Sequence, residues 1–247
     1  MTEPSPYGLQ VIDSCLTCPY REDRLFCNLP PGAVQRLSEI GSVSSYPERA
    51  ILFVQDQLAR GVFILCSGRV KLSTTSIDGR TLIVRFAEPG ELLGLPSTVT
   101  GKPYSLTAEV IEPTQLKFVA RGDFLDFLRE YGEVALRVAQ QLGEAYQVAI
   151  EEMRTIGLSH SAEERVARFL LDWTAKHHLE TSSLRSKLTL THEEIAEAIG
   201  LSRETVTRIL SKLKKNNQAI VKGSTVTIKD RVALESILNE NSRNSDL

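Results

Sequence analysis

Four cysteines, Cys15, Cys18, Cys27 and Cys66, are the side chains of this chain best suited to holding a metal, and three of them fall within thirteen residues. Thiolates are soft, strong donors, and four of them suit a tetrahedral zinc or an iron–sulfur cluster. The start, Met1-Thr-Glu-Pro-Ser-Pro6, lacks the basic and apolar stretches of a secretion signal, so a cytoplasmic location is expected. Disulfides are rare in the cytosol, and clustered cysteines there point to metal or redox chemistry. The plainer alternative makes Cys66 a small buried hydrophobe and the others incidental. It fits the arm less well, because three thiols in a polar segment bury little.

A second constellation lies near the other end. Arg203, Glu204, Thr207 and Arg208 recur at the spacing that puts side chains on one helical face. A guanidinium there can fork onto a guanine and a carboxylate can accept from a cytosine amino group, so the face can read base edges in a major groove. The surrounding residues build the helix pair that such a face needs. Thr191 and Glu194 form a capping box that opens one helix, whose apolar residues are Ile195, Ala196 and Ile199. Gly200 can take the left-handed conformation that ends it, and Ser202 caps a second helix with Val206, Ile209, Leu210 and Leu213 facing inward. Two short helices around a glycine turn make a helix-turn-helix. Between Arg185 and Arg231 stand ten basic and five acidic residues, in a chain of net charge -2. That local excess fits phosphate contact, to which Lys212 would contribute. Ala219–Ile228 reads as two β-rich runs around Lys222-Gly223-Ser224, a hairpin and hence a wing with Lys222 at its tip. DNA binding follows from this segment.

The rest of the chain positions these two groups. At 247 residues and 42% hydrophobic, it can form two domains with cores of their own. No apolar run is long enough to cross a bilayer, so no membrane partner is expected. From about Gly32 to Phe127 the sequence alternates short strand-like runs with turn signals. The runs are Ala50–Val54, Gly61–Leu65, Arg69–Ser73, Leu82–Phe86, Leu106–Val110 and Gln115–Val119, and the turn signals include Ser67-Gly68, Asp78-Gly79 and Pro89-Gly90. A β-roll or sandwich is expected there. A helical stretch follows from about Asp123 to Thr155, with an apolar stripe at Val134, Val138, Leu142, Ala145, Ala149 and Ile156 that can pack on its own roll or on a copy of itself. Gly157–His160 is the expected hinge. Ser161 and Glu164 open a further helix with Val166, Phe169, Leu170 and Trp173 buried. An arm over 1–30, a roll over 31–128, a long helix over 129–157, a winged unit over 161–238 and a polar tail over 239–247 make an α+β chain.

In that order these parts resemble the Crp/Fnr family of bacterial transcription regulators. The most specific pieces are Arg203-Glu-Thr-Val-Thr-Arg-Ile-Leu210, Gly68-Arg-Val-Lys71 with Pro89-Gly-Glu91, and Ser161-Ala-Glu-Glu-Arg-Val-Ala-Arg-Phe169. The resemblance implies a cyclic-nucleotide-binding-like roll, a dimerisation helix and a winged helix-turn-helix. It further implies a homodimer joined along the Val134–Ile156 stripe, a two-fold symmetric operator and RNA polymerase as a partner. Half-sites are expected about one helical turn, roughly 10 bp, apart. Arg203, Glu204, Thr207 and Arg208 become the base readers. Arg203 matches the cyclic-AMP receptor branch, whereas Thr207 sits where that branch has Gly and the Fnr branch has Ser, so the outer operator bases stay open.

The resemblance also bears on the signal. Nucleotide-binding members hold the ribose with a Glu and the cyclic phosphate with an Arg; Leu95 and Tyr104 occupy those positions here. Neither can replace the charge-assisted fork, so cyclic AMP is not the expected ligand. The cysteine arm resembles that of the oxygen-sensing Fnr branch, where four cysteines hold a [4Fe–4S] cluster. Two departures are plain: eight residues, rather than about five, separate Cys18 from Cys27, and the usual fourth position, near Leu116, is not cysteine. Cys66 can serve only if its strand end faces the arm. Sensing of oxygen, nitric oxide or redox state through a cluster on Cys15, Cys18, Cys27 and Cys66 is the preferred reading. Structural zinc, thiol redox or a small effector in the roll are the alternatives. In the Fnr branch an acidic residue on the long helix keeps unclustered monomers apart; Ile150 aligns with it, followed by Glu151 and Glu152. An enzyme is not expected: His160, His177, His178 and His192 are scattered, and the Cys-x-x-Cys lacks a βαβ context.

Overall fold

Two long antiparallel strands carry the N-terminal part, and both are buried on their two faces over much of their length. A computed structural model describes residues 6–9, 11–12, 14–158, 161–176, 185–187, 190–222 and 225–239. The His177-His178 pair, residues 159–160 of the expected hinge, the Gly223-Ser224 wing turn and the tail from 240 lie outside them, as do the side chains of Lys222, Glu152 and Ile156. The contacts divide the chain into Met1–Val148 and Ala149–Leu247.

In the first unit the elements are α1 (Pro31–Ile40), β1 (Gly41–Tyr46), β2 (Ile51–Phe53), β3 (Gly61–Thr75), β4 (Thr81–Ala87), β5 (Leu92–Leu93), α2 (Leu95–Thr100), β6 (Thr107–Ala120) and α3 (Arg121–Glu130). The sheet runs β1-β6-β3-β4, with β2 on β6 and β5 on β3. Side chains alternate across a strand. Phe63 and Leu65 of β3 and Leu116 of β6 therefore pack inward with Phe53, Tyr104 and Val110. Val62, Ile64 and Val119 point to the other face, into a second cluster with Phe26 of the arm, Val34 and Leu37 of α1, and Phe124 and Phe127 of α3. The roll is thus roofed by helices and by the arm.

Several expectations need correction. Ser67-Gly68 does not end a strand. The pairing of β3 with β6 shifts register on both sides of it, and Gly68, at φ 84°, forms a bulge rather than a turn. A Cβ there would meet Thr114 Oγ1 at 2.3 Å and the Pro113 carbonyl at 2.4 Å. Pro31–Ile40 is helical within the segment read as strands, started by Pro31 at its first turn. The stretch from Asp123 is two helices, broken at Tyr131, whose φ of -119° and ψ of 93° are extended. The second, α4 (Gly132–Leu158), carries the apolar stripe. Val134 and Val138 lie in the roll's own second cluster with Leu142 against it, so the first half of the stripe is core and not dimer seam. Among the described side chains of α4, Leu136, Tyr146, Val148 and Met153 are the exposed large apolar ones, and Ala145 and Ala149 of the stripe are exposed as well.

The second unit contains α5 (Ala162–Lys176), β7 (Arg185–Lys187), α6 (His192–Ile199), α7 (Arg203–Lys215), β8 (Ala219–Lys222), β9 (Thr225–Ile228) and α8 (Arg231–Asn239). Glu164 N donates to Ser161 Oγ at 3.1 Å, the expected start of α5. Val166, Leu170 and Trp173 are buried, with the half-buried Phe169 against Trp173. The hairpin of β8 and β9 forms as expected, but β7 adds a third strand on β9. No helix among the described residues is long and apolar enough to cross a membrane.

Because Gly68 combines a left-handed backbone with contact on two sides, Gly68→Ala is expected to cost at least about 2 kcal/mol. Urea unfolding of the full chain would register this as a lowered midpoint.

Candidate metal centre and nucleic-acid interface

Alternation along β3 decides where Cys66 points. It shares parity with Val62 and Ile64, which face the second cluster, so its thiol faces the arm. Ile64 pairs with Lys117 and Ser67 with Gln115. Cys66 therefore stands one strand over from β6, beside residues 115–117, whereas Leu116 points into the roll interior.

The arm is held against this face by contacts of its own. Phe26 is fully buried in the second cluster. The buried Gln115 pairs both amide atoms with Ile12, accepting from Ile12 N and donating to Ile12 O, each at 2.9 Å. Arg24 lies across the Pro89-Gly90-Glu91 turn, where Gly90 (φ 101°) leaves room: a Cβ there would meet Arg24 Cβ at 2.9 Å. Its guanidinium donates to the Cys66 carbonyl at 2.7 Å and stacks over Tyr20.

All four cysteines line one pocket of about 490 Å³, open mouth included, together with Val34, Leu37 and Ile64 and the cations Arg21, Arg24 and Lys117. None is in a disulfide. They ring the pocket rather than converge: among the described residues, no three His, Cys, Asp or Glu side chains are close enough to hold a single ion. Burial, then the neighbouring Cys66, pushes the Cys27 thiol up to about 12, against the pull of Arg24. Burial, then Cys15, raises Cys66 to about 11, and burial raises Cys15 too. These are the reverse of reactive thiols, whose pKa is lowered by nearby cations or helix starts.

The positions aligned with the nucleotide anchors are core. Leu95 is buried. Tyr104 stacks on Phe53 at 4.1 Å and donates its hydroxyl to the Gly61 carbonyl at 2.7 Å.

In the second unit the caps form as expected. Glu194 N donates to Thr191 Oγ1 at 3.2 Å while Thr191 N donates to Glu194 Oε2 at 2.9 Å. Gly200 ends α6 at φ 65°, and Ser202 Oγ accepts from Thr205 N. Val206, Ile209, Leu210 and Leu213 are buried, leaving Arg203, Glu204, Thr207 and Arg208 exposed together on the opposite face of α7. Neither arginine forms an ion pair with another described residue, so both guanidiniums stay available to an anion. Lys212 pairs with Glu163 of α5 at 2.6 Å; with the lysine side chain 57% exposed, that pair is weak and easily exchanged. One contact was not legible beforehand: His192 Nδ1 lies 3.1 Å from Thr207 Oγ1 and fixes a reading hydroxyl. On α4, Ile150 is half-buried and Glu151 exposed.

Residues 43–131 match the cyclic nucleotide-binding domain and residues 164–237 the Crp-like helix-turn-helix domain. This chain belongs to the Crp/Fnr family. It is 29% identical to the transcriptional activatory protein AadR of Rhodopseudomonas palustris, over 86% of this chain and 88% of that one. It is equally identical to a cyclic AMP receptor protein of Thermus thermophilus, over 86% and 95%. The structure of FixK2 from Bradyrhizobium japonicum superposes with a TM-score of 0.69 at 26% identity, covering 80% of this chain and 97% of that one. Crp/Fnr proteins are transcription regulators, not enzymes, and bind DNA as dimers.

With thiol pKa values raised, the metal-free protein holds less thiolate at pH 8 than an ordinary cysteine peptide. Alkylation of Cys27 and Cys66 is expected to be slow there and to climb with pH toward 11–12. Arg24→Ala removes a cation that pulls the Cys66 thiol down, so still slower labelling of Cys66 at pH 8 is expected in mass-spectrometric time courses.

Proposed function

We propose that this Crp/Fnr regulator senses oxygen, nitric oxide or redox state through a [4Fe–4S] cluster held by Cys15, Cys18, Cys27 and Cys66. The observation that carries the reading is the meeting of all four thiols at one pocket, three from the arm and the fourth from the parity of β3. The donor set fits the group in kind: four cysteine thiols line one pocket that also carries three cations to face an anionic centre. The raised thiols speak against a bare thiol switch. The core positions of Leu95 and Tyr104 speak against cyclic AMP, the ligand in the name of the Thermus relative. Bound, the cluster supplies an oxygen-labile redox centre.

The chain's own residues relay its state. Ligation by Cys66 together with Cys15, Cys18 and Cys27 ties the arm to β3, and the thiols give up their protons to bind iron. Phe26 of the arm packs in the same cluster as Val134 and Val138, so a shift of the arm is felt at the start of α4. Along α4 the exposed Leu136, Tyr146 and Met153 offer the apolar surface for a second protomer. Two reading helices would then meet two half-sites, each with Arg203, Glu204, Thr207 and Arg208 toward the bases and Ser202, Lys212 and Lys222 toward phosphates. Contact with RNA polymerase belongs to the same reading.

Protein purified without air should be brown and carry about four iron atoms per protomer. Cys66→Ser should lose most of them, and a colourless, iron-free wild type refutes the cluster. Arg208→Ala should weaken operator binding by about 1–3 kcal/mol in a titration at fixed salt. Equal affinity for random duplex would remove the assignment of α7 as the reading helix.

A further inference from the structure

Lys117 is a buried lysine that forms no ion pair with an acid among the described residues. It is 2% exposed, and its ammonium donates to three backbone carbonyls, Leu37 at 3.1 Å, Ser38 at 3.2 Å and Gly41 at 3.1 Å. These close the C-terminal end of α1, where a cation is favourable against the helix dipole. Carbonyl dipoles offset only part of the cost of burying a full charge. Lys117 also lines the four-thiol pocket, where the charged side chains among the described lining residues are Arg21, Arg24 and Lys117. Its charge acts on both Cys15 and Cys66, one from each half of the ligand set.

We propose that Lys117 is the fixed counter-cation of the four-cysteine site, a positioning residue that sets how firmly the site holds negative charge and at what potential that charge increases. The proposal rests on the cluster reading above. A cluster ligated by four thiolates is anionic, and reduction adds one more negative charge; net charge, hydrogen bonding and solvent exposure set its potential. All three N–H donors of Lys117 are engaged by carbonyls, so it acts through its field and not by a hydrogen bond to sulfur. Because those carbonyls fix the ammonium, no reorganisation follows a change of charge in the pocket. Arg24 differs: its guanidinium serves the Cys66 carbonyl and holds the arm.

The test uses full-length protein purified without air, as wild type, Lys117→Gln, Lys117→Met and Lys117→Arg. Iron content, midpoint potential by dye-mediated titration and the rate of iron loss to a chelator are measured on each. Lys117→Gln keeps two donors for the carbonyls while removing the charge, and it guards against a misfolded Met variant. The expected result is iron in all four, a more negative potential in the Gln and Met variants, and iron loss at least about tenfold faster there, with Arg restoring both. Melting of the metal-free forms separates stability from charge: a purely structural lysine would lower all melting temperatures and leave the potential alone. A Gln variant with wild-type potential and a release rate within about twofold of wild type overturns the counter-cation and leaves the cluster standing. A wild type without iron overturns the cluster reading itself.

Discussion

The roofing of a sheet face by the N-terminal arm is the constraint on which the rest of the sensing unit depends. Strand β3 is apolar and buried on both sides over residues 62–65, and β6 beside it is buried on both sides over residues 114–117. A strand of that kind must be covered twice, because an uncovered face would leave apolar surface in water. The roll interior covers one side. The other is covered by Phe26, α1, α3 and the beginning of α4 in one shared cluster. Any chemistry that alters the arm therefore acts on a packed core, which responds as a unit and not as a loose flap.

That same constraint explains how thiols from the arm and from β3 come to line one pocket. Phe26 places Cys27 against the cluster, Arg24 meets the carbonyl of Cys66 itself, and Gln115 replaces a missing strand partner for Ile12. Under the proposed cluster reading, ligation would start from a backbone already fixed, at a lower ordering cost, and its loss would alter the packing between Phe26 and Val134 without unfolding the arm.

Much of this was legible in the sequence. The reading helix was, because capping residues and a 3.6-residue apolar period agree from Thr191 to Leu213. The parity of Cys66 with Val62 and Ile64 was also available in principle, but reading Ser67-Gly68 as a turn hid it. A bulge glycine and a turn glycine look alike in one sequence; only the partner strand, here Pro113 and Thr114, tells them apart. The apolar stripe of α4 was visible, yet its division between roll and exposed surface depends on where α3 ends, which Tyr131 sets through tertiary contacts with Phe127. Lys117 and Gln115 read as ordinary polar residues of a strand, and nothing local announces that both are buried. The His192–Thr207 contact joins residues fifteen apart across a helix pair, beyond any local pattern.

Under the proposed cluster reading, the two departures from the Fnr-type arm compensate each other. In the usual arrangement the fourth thiol sits on the strand corresponding to β6, near Leu116, which here points away from the arm into the roll. Moving the fourth thiol to β3 shifts the ligand set one strand across the sheet, about 4.8 Å. The arm must then reach further between its second and third cysteines, and the eight intervening residues, Pro19–Phe26, give it that reach. They also contain Arg24 and Phe26, the residues that seat the arm on β3 and its neighbours. The same eight residues pass Gly90, meet the Cys66 carbonyl and return Cys27 to the pocket, so in this reading spacer length and fourth-ligand position answer one geometric requirement.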